Sequence, residues 1–133
     1  MSNPLLLDIV LFLKTEKLVS DDGVDAFRDF IPEKPDSIVV VQEYTGYPAF
    51  LYDPSVHRSI QILARANSAD AARSKMVAIF KALRDAQSEV GVVDFTSTRW
   101  GQVHLRQTPF LLRRDKNDRT YYAINVGITS TIE

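Results

Sequence analysis

His57 and His104 are the only imidazoles in this chain of 133 residues, and it has no cysteine. Without a thiolate there is no disulfide, no zinc–sulfur site and no cysteine nucleophile. His57 follows Asp53-Pro54-Ser55-Val56 in a stretch that reads as loop, and His104 sits beside Arg106 on the polar side of a strand pattern. Neither histidine has an HxH or HExxH partner, so both read as surface or interface residues rather than metal ligands. The serines form no GxSxG elbow. Glycines at 23, 46, 91, 101 and 127 are scattered and leave no loop able to cradle a phosphate. Asp21-Asp22 and the pair Asp115/Asp118 fall in turn sequences, where aspartate is favoured by bonding to its own backbone. General acid–base work needs convergent partners that these spacings do not supply. The sequence therefore indicates no catalytic, metal-binding or cofactor-binding residue.

Two segments suit contact rather than reaction. Arg113 and Arg114, with Lys116 and Arg119 close behind, form the densest basic cluster. It reads either as a contact for phosphate or an acidic protein surface, or as a solvated hairpin whose charges deter strand addition. Asp115 and Asp118 dilute the charge and favour the second reading. The segment from Tyr44 to Pro54 carries Tyr47, Phe50, Leu51 and Tyr52 between strand patterns. Connecting segments are normally polar. Aromatics concentrated there indicate either a small second core or a protein interface. The candidate interface residues are thus Tyr47, Phe50, Leu51, Tyr52, Arg113 and Arg114.

Regular elements must position these segments. Asn3-Pro4 is a helix start, with Asn as cap and Pro at the first helical position. Leu6, Ile9, Val10 and Leu13 share one face at helical spacing. The opposite face holds Asp8, Leu11 and Thr15, only half polar, which suggests a helix covered on more than one side, as in an oligomer. Ser20-Asp21-Asp22-Gly23 is a turn, Val24 to Ile31 a short strand or frayed element, and Pro32 and Pro35 exclude helix between them. Ile38-Val39-Val40-Val41 is a continuous β-branched run, typical of a strand covered on both faces. Gly46 to Val56 reads as a long loop. Arg58 to Ala66 alternates, with Ile60, Ile62 and Ala64 on one side and Ser59, Gln61 and Arg65 on the other.

Asn67-Ser68-Ala69-Asp70 opens a second helix with the apolar stripe Ala69, Ala72, Met76, Ile79, Phe80 and Leu83. Val92 to Phe95 suggests a short strand, followed by a loop from Thr96 to Trp100. Gln102 to Thr108 is a strand with Val103 and Leu105 inward, and Pro109 marks an edge or bulge. Phe110 to Arg114 is strand, Asp115-Lys116-Asn117-Asp118 a hairpin turn, and Thr120 to Ile132 the last strand. This order predicts an α+β fold, two helices packed on one face of a mainly antiparallel β-sheet.

Length and composition agree. Hydrophobic residues make up 45% and charged residues 25% of the chain, ordinary globular values that fit a single domain over residues 1–133. Lys+Arg (16) and Asp+Glu (17) nearly cancel, which argues against a dedicated nucleic-acid binder. The apolar run Leu5–Leu13 lacks a basic segment before it and a small-residue cleavage site after it, so it reads as a helix rather than a leader. It is also far short of the ~20 residues a membrane span needs.

Three segments together give the chain a family likeness: PLLLDIVLFLKTEKLV, RSIQILARANSADAARSKMVAIFKALRD and QTPFLLRRDKNDRTYYAINVGITST. In these segments the chain resembles the small phage minor capsid and tail-completion proteins, and through them the tail-terminator fold of long-tailed phages. The likeness spans nearly the full length and rests on architecture, not on a catalytic motif. It implies a structural, non-enzymatic role: a cyclic oligomer, typically a hexamer, on the head-proximal end of the tail tube. The implied partners are further copies of itself, the tail tube protein and head-neck connector proteins. DNA passes through the lumen without tight binding, and neither membrane nor cofactor is involved. The implied location is the tail-neck region of the virion, with the host cytoplasm as the place of assembly. A head-completion or neck connector, a tail-tube-like subunit and a small ligand-binding α+β domain are the alternatives.

Phe50→Asp separates the two readings of the aromatic segment. If it is an interface, monomer stability should stay within about 0.5 kcal/mol, and assembly should weaken by about 2 kcal/mol. If it folds onto its own core, the buried carboxylate should cost the monomer several kcal/mol. Ile79→Asp, on the second helix, should unfold the domain under either reading. Thermal melts of dilute protein beside head–tail joining in an extract measure both quantities.

Overall fold

A computed structural model describes residues 4–44, 55–90, 100–105 and 108–131. Helix α1 spans Pro4–Thr15 and α2 spans Ala69–Val90. The strands are β1 Ala26–Arg28, β2 Ile38–Tyr44, β3 Ser55–Ala66, β4 Trp100–Leu105, β5 Phe110–Arg114 and β6 Thr120–Thr131. They form one sheet in the order β1-β2-β3-β6-β4, with β5 also on β6. Among the described strands, β1 and β2 pair in parallel and the other pairs are antiparallel. Strands β4 and β5 share one side of β6, β4 along Val126–Ser130 and β5 along Thr120–Ala123. The α+β fold with a mainly antiparallel sheet is therefore as the sequence predicts.

Strand alternation sorts the sheet into two faces. Val39, Val41, Ile60, Ile62, Ala64, Ile124, Val126 and Ile128 meet Leu5, Leu6, Ile9, Val10 and Leu13 of α1 and Met76, Ile79 and Leu83 of α2 in one buried cluster. Both helices thus cover the same face, with α1 against β1 and β2 and α2 against β3, β4 and β6. Each such side chain removed from water contributes roughly 1.5–3 kcal/mol. The opposite face has its own smaller cluster: Ile38, Val40, Leu63, Tyr121 and Ala123, flanked by Phe27 and Phe110. The run Ile38–Val41 is accordingly buried on both sides.

Local chemistry sets the element ends. The Ser68 hydroxyl accepts a hydrogen bond from the Ala71 N–H at 3.1 Å, capping α2. At the far end of α1, Lys17 adopts φ 63°. There the Leu18 and Lys17 N–H groups donate to the carbonyls of Leu13 and Lys14, satisfying two terminal acceptors. Lys75 of α2 donates to the Leu18 carbonyl at 2.7 Å, tying the two helices together.

Three expectations need correction. Asp8 and its neighbours on α1 do not mark a surface left for another subunit. Asp8 is 1% exposed, and no large exposed hydrophobic residue among those described lies on α1. The loop reading of Gly46–Val56 ends too late, because β3 begins at Ser55 and places His57 in a strand opposite Thr129. Trp100, read as loop, opens β4. The suggested strand Val92–Phe95 and most of the aromatic segment lie outside the described residues.

Candidate functional site

Arg65 lies near the end of β3 on the face away from the helices, 2% exposed. Alternation alone would have put it among polar, solvent-facing residues. Instead, the segment from Pro32 to Asp36 lies over it. Arg65 Nη1 donates to the carbonyl of Pro32 at 2.7 Å and to the Tyr121 hydroxyl at 3.3 Å. Its Nη2 donates to the carbonyls of Pro35 at 2.7 Å and Glu33 at 3.3 Å, and its Nε to the Asp36 carbonyl at 3.1 Å. An arginine side chain has five N–H donors, so every one is used. Proline lacks an N–H, so a segment with Pro32 and Pro35 carries carbonyls in excess of donors. A guanidinium fork is the side chain that can serve several at once. That excess, next to an arginine ending an apolar strand, is the sequence signal that could have located this site.

The network continues into the β5–β6 hairpin. The Tyr121 hydroxyl donates to Asp115 Oδ2 at 3.2 Å, and Arg119 Nε donates to the same oxygen at 2.8 Å. Arg119 also reaches the Glu33 carbonyl at 2.6 Å and the Asp36 carboxylate at 3.3 Å. Asp115 Oδ1 accepts the N–H groups of Asn117 and Arg119, as its place in a turn predicts. Burial works against ionisation of Asp115. The backbone N–H groups of Arg119 and Asn117, with the Arg119 and Tyr121 side chains, outweigh it and lower its pKa from 3.8 to about 2. Burial likewise opposes the charge of Arg119, yet the Asp115 carboxylate holds its pKa above the ordinary arginine value.

The predicted basic cluster therefore divides. Arg119 is 4% exposed and spent on internal bonds, whereas Arg113 and Arg114 lie exposed on β5. A bulge sets the placement of Arg113. Leu111 pairs with Tyr122 and Arg113 with Tyr121, leaving Leu112 as the extra residue. Cross-strand partners share a face, so Arg113 stacks over the Tyr121 ring with its guanidinium 4.4 Å from the ring centre. Between this hairpin and Ile31-Pro32-Glu33 runs an open groove of about 420 Å³, with Arg65 and Tyr121 also lining it. Of the buried cations that line it, Arg65 uses all five donors and Arg119 makes four hydrogen bonds. What faces outward is Arg113, Arg114, Lys116 and the exposed leucines Leu111 and Leu112.

The remaining expected sites have simpler outcomes. Tyr47, Phe50, Leu51 and Tyr52 lie outside the described residues. Asp21 accepts the Asp22 N–H, and Asp25 accepts those of Ser20 and Asp21, so this acidic cluster shapes its own turn. Among the described residues, no group of three His, Asp or Glu side chains is placed to hold a metal ion, and no helix is long and apolar enough to cross a membrane.

A model of the bacteriophage tail terminator proteins matches residues 12–132. The chain belongs to that family. A chain from the virion of a native gene transfer agent particle has a similar fold: TM-score 0.65 at 15% identity, over 96% of this chain and 95% of that one. No curated protein matches significantly. The expected resemblance to tail-terminator proteins is thereby confirmed. In this terminator-family chain the arginine network does architectural work: it fixes the Pro32–Asp36 segment and the hairpin turn to one end of the sheet.

Two outcomes follow. Arg65→Met strands the carbonyls of Pro32, Pro35 and Asp36 without a donor, Glu33 keeping Arg119, and should cost about 3 kcal/mol or more in chemical denaturation. Asp115 has a folded-state pKa below its unfolded value, so its contribution to stability is complete above pH 3.8 and is lost as pH falls through about 2. Denaturation midpoints of Asp115→Asn should therefore decline less between those values than those of the unsubstituted protein.

Proposed function

We propose that this protein is a structural tail terminator of a phage or prophage: a single-domain subunit, without enzymatic activity, that forms a ring capping the tail tube and presents a face to the head-neck connectors. The observation that carries this reading is the family match over residues 12–132. The fold shared with a virion chain of a gene transfer agent supports it. So does the surface: the large exposed apolar residues among those described, Val24, Phe30, Ile31, Leu111 and Leu112, have charged residues close by in the chain, a distribution suited to assembly. The ring is cyclic and hexameric on the tube, DNA passes through its lumen without tight binding, and the protein belongs to the tail-neck region of the virion after assembly in the host cytoplasm. Arg113, Arg114 and the aromatic segment containing Tyr47, Phe50, Leu51 and Tyr52 make the contacts.

Purified protein added to growing tail tubes tests the reading. Tube length should stop increasing, and negative-stain images should show a ring at one end of each tube. A protein that co-polymerises and lengthens the tubes would be a tail-tube-like subunit. One that leaves tube ends bare and growth unchanged would not be a terminator.

A further inference from the structure

The sheet order places β1 at one edge and β4 and β5, side by side along β6, at the other, with β2, β3 and β6 between. At about 4.8 Å per strand spacing the two edges lie roughly 19 Å apart. Large exposed apolar side chains gather at both. Beside β1 are Val24, 58% exposed, and Phe30, 60% exposed. On β5 are Leu111, 56% exposed, and Leu112, 38% exposed. The charges around them have opposite sign. Val24 and Phe30 stand among Asp21, Asp22, Asp25 and Asp29, with Arg28 the one basic residue from 20 to 30 and already paired to Asp22 at 2.9 Å. Leu111 and Leu112 precede Arg113, Arg114 and Lys116; of the two acids in the same hairpin, Asp115 is paired with Arg119 and Asp118 lies 3.9 Å from Arg114, which leaves this edge net positive.

We infer that these two edges meet each other between copies: the acidic-apolar β1 edge of one subunit seats on the basic-apolar β5 edge of the next. This rests on the ring reading and supplies its subunit contact. Each patch has an apolar centre and a charged rim, the usual anatomy of a protein interface. Their opposite charges steer the pair together and penalise β1–β1 or β5–β5 contact. Two different patches on opposite edges make a head-to-tail contact, the kind that closes into a ring when the rotation between copies allows. The contact runs through side chains rather than through an extended sheet. The outer edge of β1 is already occupied by its own turn, where Gly23 N–H donates to the Ala26 carbonyl at 2.7 Å.

The chain has no cysteine, so single thiols report the contact cleanly. Val24→Cys, Leu111→Cys and the double variant are bound to tail tubes and treated with a short bismaleimide; thermal melts confirm that each is folded. The double variant should give a ladder of cross-linked oligomers. Each single variant alone should stay monomeric, and the two mixed should give dimers only. Leu111→Asp should raise the protein concentration needed for capping by about tenfold or more. A dimer from Leu111→Cys alone, or capped tubes with no cross-link in the double variant, overturns the edge pairing while the ring reading stands. Failure of the unsubstituted protein to cap tubes removes both.

Discussion

One buried guanidinium organises the side of the sheet that the helices leave uncovered. The helix-bearing face is held by ordinary apolar packing, which is cumulative and tolerant of exchange. Among the described residues, the other face has no helix. Its cover is an irregular segment with two prolines, and such a segment cannot lie on a sheet without acceptors left over. Arg65 donates to four of its carbonyls. Burying a charge is costly unless it is fully hydrogen-bonded. Here the cost and the excess of carbonyls cancel, because each supplies what the other lacks.

From that anchor the rest of the surface follows. Tyr121 links Arg65 to Asp115, and Asp115 holds Arg119, which reaches back to Glu33 and Asp36. The segment and the hairpin are therefore fixed to one another through a closed set of polar contacts. Networks of this kind favour a single arrangement, since a half-made one is worse than none. The bulge at Leu112 then decides which residues face outward. It turns Arg113 onto the Tyr121 ring and leaves Leu111 and Leu112 at the margin. Which side chains this margin exposes is thus set by internal electrostatics and by one inserted residue.

Such a surface fits a terminator-family protein better than a pocket would. An enzyme concentrates convergent polar groups in a concavity. In this chain the groove beside the hairpin is lined by the internally bonded Arg65 and Arg119 and by the exposed Arg113, Arg114 and Lys116, while the exposed leucines Leu111 and Leu112 lie on β5. Charge is separated along the sheet although the chain as a whole is nearly neutral. In the proposed edge pairing, near neutrality overall with opposite charge at the two edges is the basis of self-recognition.

The sequence by itself determined the helices, most of the strands and the face that packs on the helices. Ile38–Val41 announced burial on both sides because only a covered strand tolerates four consecutive β-branched residues. The alternation in Tyr122, Ile124, Val126 and Ile128 gave the orientation of β6, since side chains in a strand repeat every second residue. The architectural likeness to tail terminators was also legible there. The tertiary structure alone decided which charges are buried. Arg65 looked like a solvent-facing residue and Arg119 like part of an exposed cluster. Both are internal because segments distant in sequence, Pro32–Asp36 and Asp115–Tyr121, converge on them. Periodicity reports only how a residue points relative to its own strand. Whether water or another segment lies in that direction depends on contacts across the chain, which local pattern does not encode.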